Sequence, residues 1–214
     1  GAFKAGGHKE LRRYVKALQS VDPRQLDRKE QFAFWVNLYN AKTIDVVLAK
    51  YPVKSIRDIS LDESLFGSLA TAVGAGGPWK TKIMTVVGVK LSLDDIEHKI
   101  LRPVFKDPRV HYAVNCASIG CPNLAQEAFT GANLVAQLDA GARAYINSPR
   151  GFSIRGGQVA ASSIYKWFQK DFGGSKSGVL KHALRYAEPK LKDQLKRINS
   201  IDSYRYDWKL NDQR

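Results

Sequence analysis

The chain has 214 residues, two cysteines and a net charge of +14, from 34 Lys and Arg against 20 Asp and Glu. A chain of this size, with 44% hydrophobic residues, suits one domain that buries its core without metals or many disulfides. No apolar run approaches the roughly 18–20 residues of a membrane span.

The positive balance favours anionic partners and steers them from a distance. The cations are scattered except over Lys181 to Arg197, and no zinc-finger, helicase or RNA-recognition spacing is present. A basic surface that takes an anionic partner is therefore expected ahead of nucleic-acid binding. The opening residues Gly1-Ala-Phe-Lys are not a secretory signal, and a glycine start fits a leader already removed.

Leu11, Tyr14, Val15 and Leu18 predict an amphipathic helix over 8–20, ended near Asp22-Pro23. A longer helix is predicted from about Asp27 to Lys50, with a clear polar strip only at Gln31, Lys42 and Asp45. Such a helix is central and buried nearly all round. Asn37 and Asn40 lie three apart on one face, with Glu30 nearly in line. Buried amides need partners, so this pair either locks the core or lines a site.

Residues 51–80 are turn-rich, with a short helix at Ser55–Ile59 and a breaker at Gly74-Ala-Gly-Gly-Pro78 that lacks the context of a phosphate loop. Alternation over 83–89 predicts a strand. Ser92 and Asp95 form a capping box for a helix to about Arg102, before Pro103. Glu97 falls inside its apolar face beside Leu93, Ile100 and Leu101, with His98 at the edge. Glu97 either closes an ion pair, with Arg102 for example, or orients a catalytic histidine.

Both cysteines fall in residues 109–122, Arg-Val-His-Tyr-Ala-Val-Asn-Cys-Ala-Ser-Ile-Gly-Cys-Pro. Val110–Val114 predicts a short buried strand, followed by a tight loop at Ser118, Gly120 and Pro122. A regular strand puts His111, Ala113 and Asn115 on one face and Tyr112, Val114 and Cys116 on the other. His111 then activates Cys116 only if the strand breaks at Asn115; otherwise His98 must serve. Four residues separate the cysteines, with Gly120 to relax the turn, so their Cα atoms can reach the roughly 4.4–6.8 Å of a disulfide. Zinc on Cys116, Cys121, His98 and His111 matches no finger spacing, so neither metal nor cofactor is expected.

Further helices are predicted over Asn133–Tyr145, after Ser162 or Ser163, and over Val179–Ala187 and Leu191–Ile198. A small hairpin turns at Arg155-Gly-Gly157, and the alternating tail 201–211 reads as a last strand. The expected fold is α+β: one helix-rich globule around Phe32–Leu48 with a small antiparallel or mixed sheet that includes 83–89 and 110–115.

Several segments together resemble a known family. They are Phe34-Trp-Val-Asn37-Leu-Tyr39-Asn40, Leu93-Asp-Asp-Ile-Glu97-His98 to Arg102, Asp107 to Cys116 with Cys121-Pro122, Ile164 to Phe172, and Tyr206-Asp-Trp208. They are similar to the bacterial and plant family catalogued as domain of unknown function 547, over about residues 28–211, with 1–27 as a helical extension. The resemblance implies that the quoted polar residues are motif residues. It also implies an exported, periplasmic or extracellular setting, since bacterial members often look exported. A fainter likeness to papain-like and transglutaminase-like folds suggests cysteine chemistry, although in those families the cysteine precedes the histidine.

Two readings stay open. In one, Cys116 is the nucleophile of an acyl hydrolase or transferase. His111 or His98 is its base, and Glu97, Asn37, Asn40 and Asn115 are orienters or oxyanion donors. In the other, the chain is a non-catalytic envelope module with a Cys116–Cys121 disulfide, a buried polar scaffold and a basic binding surface.

Overall fold

The structure, a computed structural model, describes residues 6–61 and 77–212. Gly74 and Gly76 of the 74–78 breaker lie outside those residues. The first helix, α1 (Gly6–Gln19), packs against α2 (Arg28–Lys50). Asp27 caps α2, its Oδ1 accepting from the N–H groups of Lys29 at 2.8 Å and Glu30 at 3.0 Å. The expected polar strip of α2 is covered at Asp45, which is buried and takes His8 at 2.9 Å, Arg12 at 3.0 Å and Lys42 at 2.7 Å. Phe32, Ala33, Trp35, Val36, Leu38 and Tyr39 are all buried, so α2 is the axis of the main core. Each large apolar side chain among them contributes about 1.5–3 kcal/mol.

The expected strand over 83–89 is instead a hairpin, β1 (Met84–Val86) and β2 (Val89–Leu91). Val87 (φ 48°) and Gly88 (φ 75°) form a two-residue turn whose positive φ angles match the strand twist. The capping box at Ser92 and Asp95 is present and opens α3 (Leu93–Asp95). The helix does not end at Arg102. It continues as a π-helix, Ile96–Phe105, through Pro103 to a left-handed residue, Lys106 (φ 54°).

The expected strand at Val110–Val114 is a helical turn, α4 (Val110–Ala113). Asp107 starts it: its Oδ1 accepts from Arg109 N at 2.9 Å, and Tyr112 N then donates to Arg109 O at 2.9 Å. All four residues of α4 are buried, and Val110 and Ala113 belong to the main core while Tyr112 belongs to a second one. No sheet therefore includes 110–115.

The second core is built on α5 (Leu134–Ile146), α6 (Ser163–Trp167), α7 (Lys176–Tyr186) and α8 (Pro189–Leu195). Beside them lies a mixed sheet of β3 (Phe152–Arg155), β4 (Gln158–Ser162) and β5 (Ser203–Arg205). β3 and β4 pair antiparallel across Gly156-Gly157, and β4 and β5 pair parallel with Ala161 opposite Tyr204. The tail is thus a short strand, followed by isolated bridges Ser55–Lys209 and Ser118–Leu210. The architecture is α+β and helix-rich, with two small sheets among the described residues.

Two expected outcomes follow from this packing. Val87 is β-branched, exposed and left-handed, so Val87→Asn relieves strain and raises stability by about 1 kcal/mol, read from the urea midpoint. An unchanged or lower midpoint contradicts the turn geometry. In the second core, His182 is buried with Nε2 3.0 Å from the Tyr112 hydroxyl. Burial chiefly, with the charge of Arg185, lowers its pKa to about 4. The unfolded chain then binds the extra proton below about pH 6.5, so stability falls as pH drops from about 6.5 towards 4. The loss reaches up to about 3 kcal/mol, and His182→Gln flattens the melting temperature over that window.

Candidate functional site

One face of α2 carries Glu30, Asn37 and Asn40, and each binds the backbone of a distant loop. Glu30 accepts from Gly131 N at 2.8 Å. Asn37 brackets Phe129, donating to its carbonyl at 2.8 Å and accepting from its N–H at 2.9 Å. Asn40 donates to Ala113 O at 2.9 Å and accepts from Asn115 N at 2.8 Å. Asn115 continues the chain of bonds: its Nδ2 donates to Pro122 O, and its Oδ1 accepts from Ala117 N, both at 2.6 Å.

These amides shape the loop that follows α4. Ala117 is held at φ 61°, a left-handed turn that folds Cys116 back towards Cys121. Their Sγ atoms lie 2.6 Å apart, beyond the roughly 2.05 Å of a bond, and both thiols are free. Cys116 is partly exposed and Cys121 is buried. The loop is pinned from outside by the Tyr145 hydroxyl on Gly120 O at 2.7 Å and by Arg150 on Cys121 O at 2.9 Å.

The two sulfurs are not equivalent. Cys116 N donates to Cys121 Sγ at 3.1 Å, and the Ser118 and Tyr206 hydroxyls lie 3.4 and 3.2 Å from that sulfur. Burial resists ionisation of Cys121, yet hydrogen bonds from Cys116, Ser118 and Tyr206 outweigh it and bring its pKa down to about 6. Cys116 moves the other way, raised by its hydrogen bond to Cys121 and then by burial. The donors gathered around Cys121 Sγ therefore favour a thiolate on the buried sulfur over one on Cys116.

Glu97 is buried as its helical phase requires, but its partner is none of the expected ones: it accepts from the Tyr39 hydroxyl at 3.2 Å. Burial first, then the Glu97 charge and the two cysteines, push the Tyr39 phenol well up, so it stays a donor.

The histidines belong to a second cluster. His111 is buried, stacks on Phe168 with ring centroids 4.2 Å apart, and bonds Asp171 Oδ2 through Nε2 at 2.7 Å. Arg102 bonds Asp171 at 2.6 Å and His98 Nδ1 at 2.8 Å, and the His98 Nε2 lies 3.6 Å from Asp94. Burial resists the Asp171 charge, but hydrogen bonds from His111 and Arg102 hold its carboxyl well below the usual range. Among the described contacts, no hydrogen bond joins either imidazole to Cys116. The structure thus brings Asn40, Asn115 and Cys116 together, and places His111 on Asp171 and His98 on the Arg102 that binds the same carboxylate.

Sequence reasoning did not single out Tyr39, Ser118, Asp171 or Tyr206. Tyr39, Asp171 and Tyr206 stood in the quoted family segments, but nothing in their spacing named their partners. Among the described residues, no three His, Cys, Asp or Glu side chains are grouped to hold a metal ion, and no helix is long and apolar enough to cross a membrane.

Fold and site together define a helix-rich α+β domain that carries a dithiol loop on a buried amide scaffold. The chain belongs to the family described as protein of unknown function, DUF547, whose model matches residues 23–146. The amide face, Glu97, both motif histidines and the two cysteines lie inside that match, while Asp171 and Tyr206 lie beyond it. Neither a curated protein nor a solved structure matches the chain.

Asn40→Ala leaves the Ala113 carbonyl and the Asn115 N–H without partners in a buried place. The expected loss is about 2–4 kcal/mol in urea unfolding. A loss below about 1 kcal/mol means that the loop closes on α2 without the amide.

Proposed function

We propose that Cys116 and Cys121 work as a thiol–disulfide couple held on the amide scaffold, in place of a lone acyl-transfer nucleophile. The observation that carries this is the approach of two free thiols to 2.6 Å in a loop clamped on several sides. About half an ångström separates that contact from a bond.

Acyl transfer at Cys116 is the weaker reading. It needs a base and free oxyanion donors. Both imidazoles are engaged elsewhere. The N–H groups of Cys116, Ala117, Ile119, Gly120 and Cys121 all have acceptors already. Asn37, Asn40 and Asn115 are scaffold in this reading, with backbone partners on both sides of each amide.

In the disulfide form, an external thiolate attacks the partly exposed Cys116 sulfur. The S–S bond breaks, and its electron pair goes to Cys121. A second external thiol, as its thiolate, attacks the external sulfur of the mixed disulfide and releases Cys116, which takes up a proton. The balance is one protein disulfide and two external thiols giving the protein dithiol and one external disulfide. Cys121 is a good leaving group because its thiolate is stabilised, and a stabilised reduced form makes the couple oxidising. Such a couple suits a periplasmic or extracellular setting, where disulfides persist. The net charge of +14 gives an anionic partner of the same module long-range attraction.

Equilibration of the protein with mixtures of reduced and oxidised glutathione, followed by acid quench and thiol counting by mass, tests the reading. The expected midpoint lies above about −230 mV. A midpoint below about −300 mV describes a permanent structural disulfide and favours the static binding module. Failure of the two cysteines to pair at any ratio overturns the couple outright.

A further inference from the structure

The last described residues form an extended strap over the thiol loop. On one side Gly120 N donates to Asp207 O, Ile119 N to Lys209 O, and Asn211 N to Ala117 O, each at 2.8 Å. On the other side Leu210 N donates to Lys54 O at 2.8 Å, and Ser55 Oγ to Trp208 O at 2.6 Å. The strap is thus wedged between the 117–120 loop and residues 54–55.

Its first residue, Tyr206, is fixed from every direction. Its ring lies 4.9 Å from Trp167 and 4.7 Å from Trp208, centroid to centroid. A Cβ on residue 120 would come within 2.8 Å of that ring, so glycine is required there. The hydroxyl ends 3.2 Å from each sulfur and 2.9 Å from Ser118 Oγ. Ser118 Oγ also lies 3.4 Å from Cys121 Sγ; with its single proton on the shorter bond to Tyr206, the tyrosine proton is left to point at the sulfurs.

We propose that Tyr206 is a catalytic hydrogen-bond donor of the thiol couple, delivered by the C-terminal strap from outside the region that the family model matches. The proposal rests on reading Cys116 and Cys121 as a couple. A disulfide sulfur is a weak acceptor and a thiolate a strong one. The Tyr206 bond therefore forms as the S–S bond breaks and charge arrives on Cys121. It favours the reduced form and the transition state that leads to it. Burial, and then the charge of the two cysteines, raise the Tyr206 phenol far above its ordinary range, so it donates without losing its proton.

The test is Tyr206→Phe, which keeps the ring, its stacking and the Gly120 contact. The expected result is a rise of about one unit in the lowest thiol pKa, read from thiolate absorbance. The glutathione equilibrium should shift about tenfold towards the disulfide, or about 30 mV more negative. Tryptophan fluorescence of both forms and the melting temperature of the oxidised protein should stay close to wild type, while the reduced protein melts a few degrees lower. A merely structural tyrosine would lower the melting temperature of both forms alike and leave the potential alone, which overturns the proposal.

Should Tyr206→Phe fail to fold, Ser118→Ala removes the group that aims the tyrosine proton. It should move the potential in the same direction by a smaller factor, and an unchanged potential in that variant overturns the proposal equally. The two layers separate cleanly. A wild type that never pairs its cysteines removes the couple and this role with it. A wild type that titrates normally beside variants at the same potential removes only the role of Tyr206.

Discussion

A side-chain amide in the middle of the central helix holds the rest of the molecule in register. Asn40 presents an acceptor to Asn115 N and a donor to Ala113 O, so it mimics a strand edge for the segment that leaves α4. Both groups are buried, and either left alone in a dry place costs a few kcal/mol. The bond pair fixes where the chain exits the helical turn. Asn115 then fixes how the next loop folds, and that loop sets the distance between the thiols. The apolar packing of α2 supplies most of the stability, but non-directional burial cannot place two sulfur atoms. Directional bonds on a rigid helix can.

Much of the helical framework is legible in the residues. The apolar stripes of α1, α2 and α5 run long enough for a 3.6-residue period to show, and Asp27, Ser92 and Ser162 mark helix starts with side chains that do cap. Val110–Val114 shows where that reading stops. Five residues, Val-His-Tyr-Ala-Val, are too few to show a period, and the turn at Asp107-Pro108-Arg109 decides for a helix through local hydrogen bonds. Pro103 misleads too, because the helix passes through it in π form and stops only at the left-handed Lys106. The alignment of Glu30, Asn37 and Asn40 on one face was legible too. Their partners were not, since these lie 101, 92 and 73 residues away and nothing local encodes such a pairing.

The motif residues also divide into two assemblies that the linear order intermixes. His111 and Cys116 are five residues apart, yet one faces Asp171 and the aromatic ring of Phe168 while the other faces Cys121 and Tyr206. The left-handed turn at Ala117 and the helical turn of α4 produce this divergence. The His111–Asp171–Arg102 assembly joins the π-helix and α4 to the segment after α6, and so ties the two cores together across their seam. Its carboxylate, flanked by a guanidinium and an imidazole, is well balanced for a partly buried charge.

The strap has a consequence for biosynthesis. Cys116 and the residue that caps it are separated by 90 positions in the chain. At about 5–20 residues per second, the thiols emerge several seconds before Tyr206 is made. During that interval the 115–121 loop has its amide scaffold but lacks its cover, and its sulfurs face any oxidant or foreign thiol present. The finished site is therefore assembled from segments far apart in the chain, and its chemistry is complete only when Tyr206 has been added.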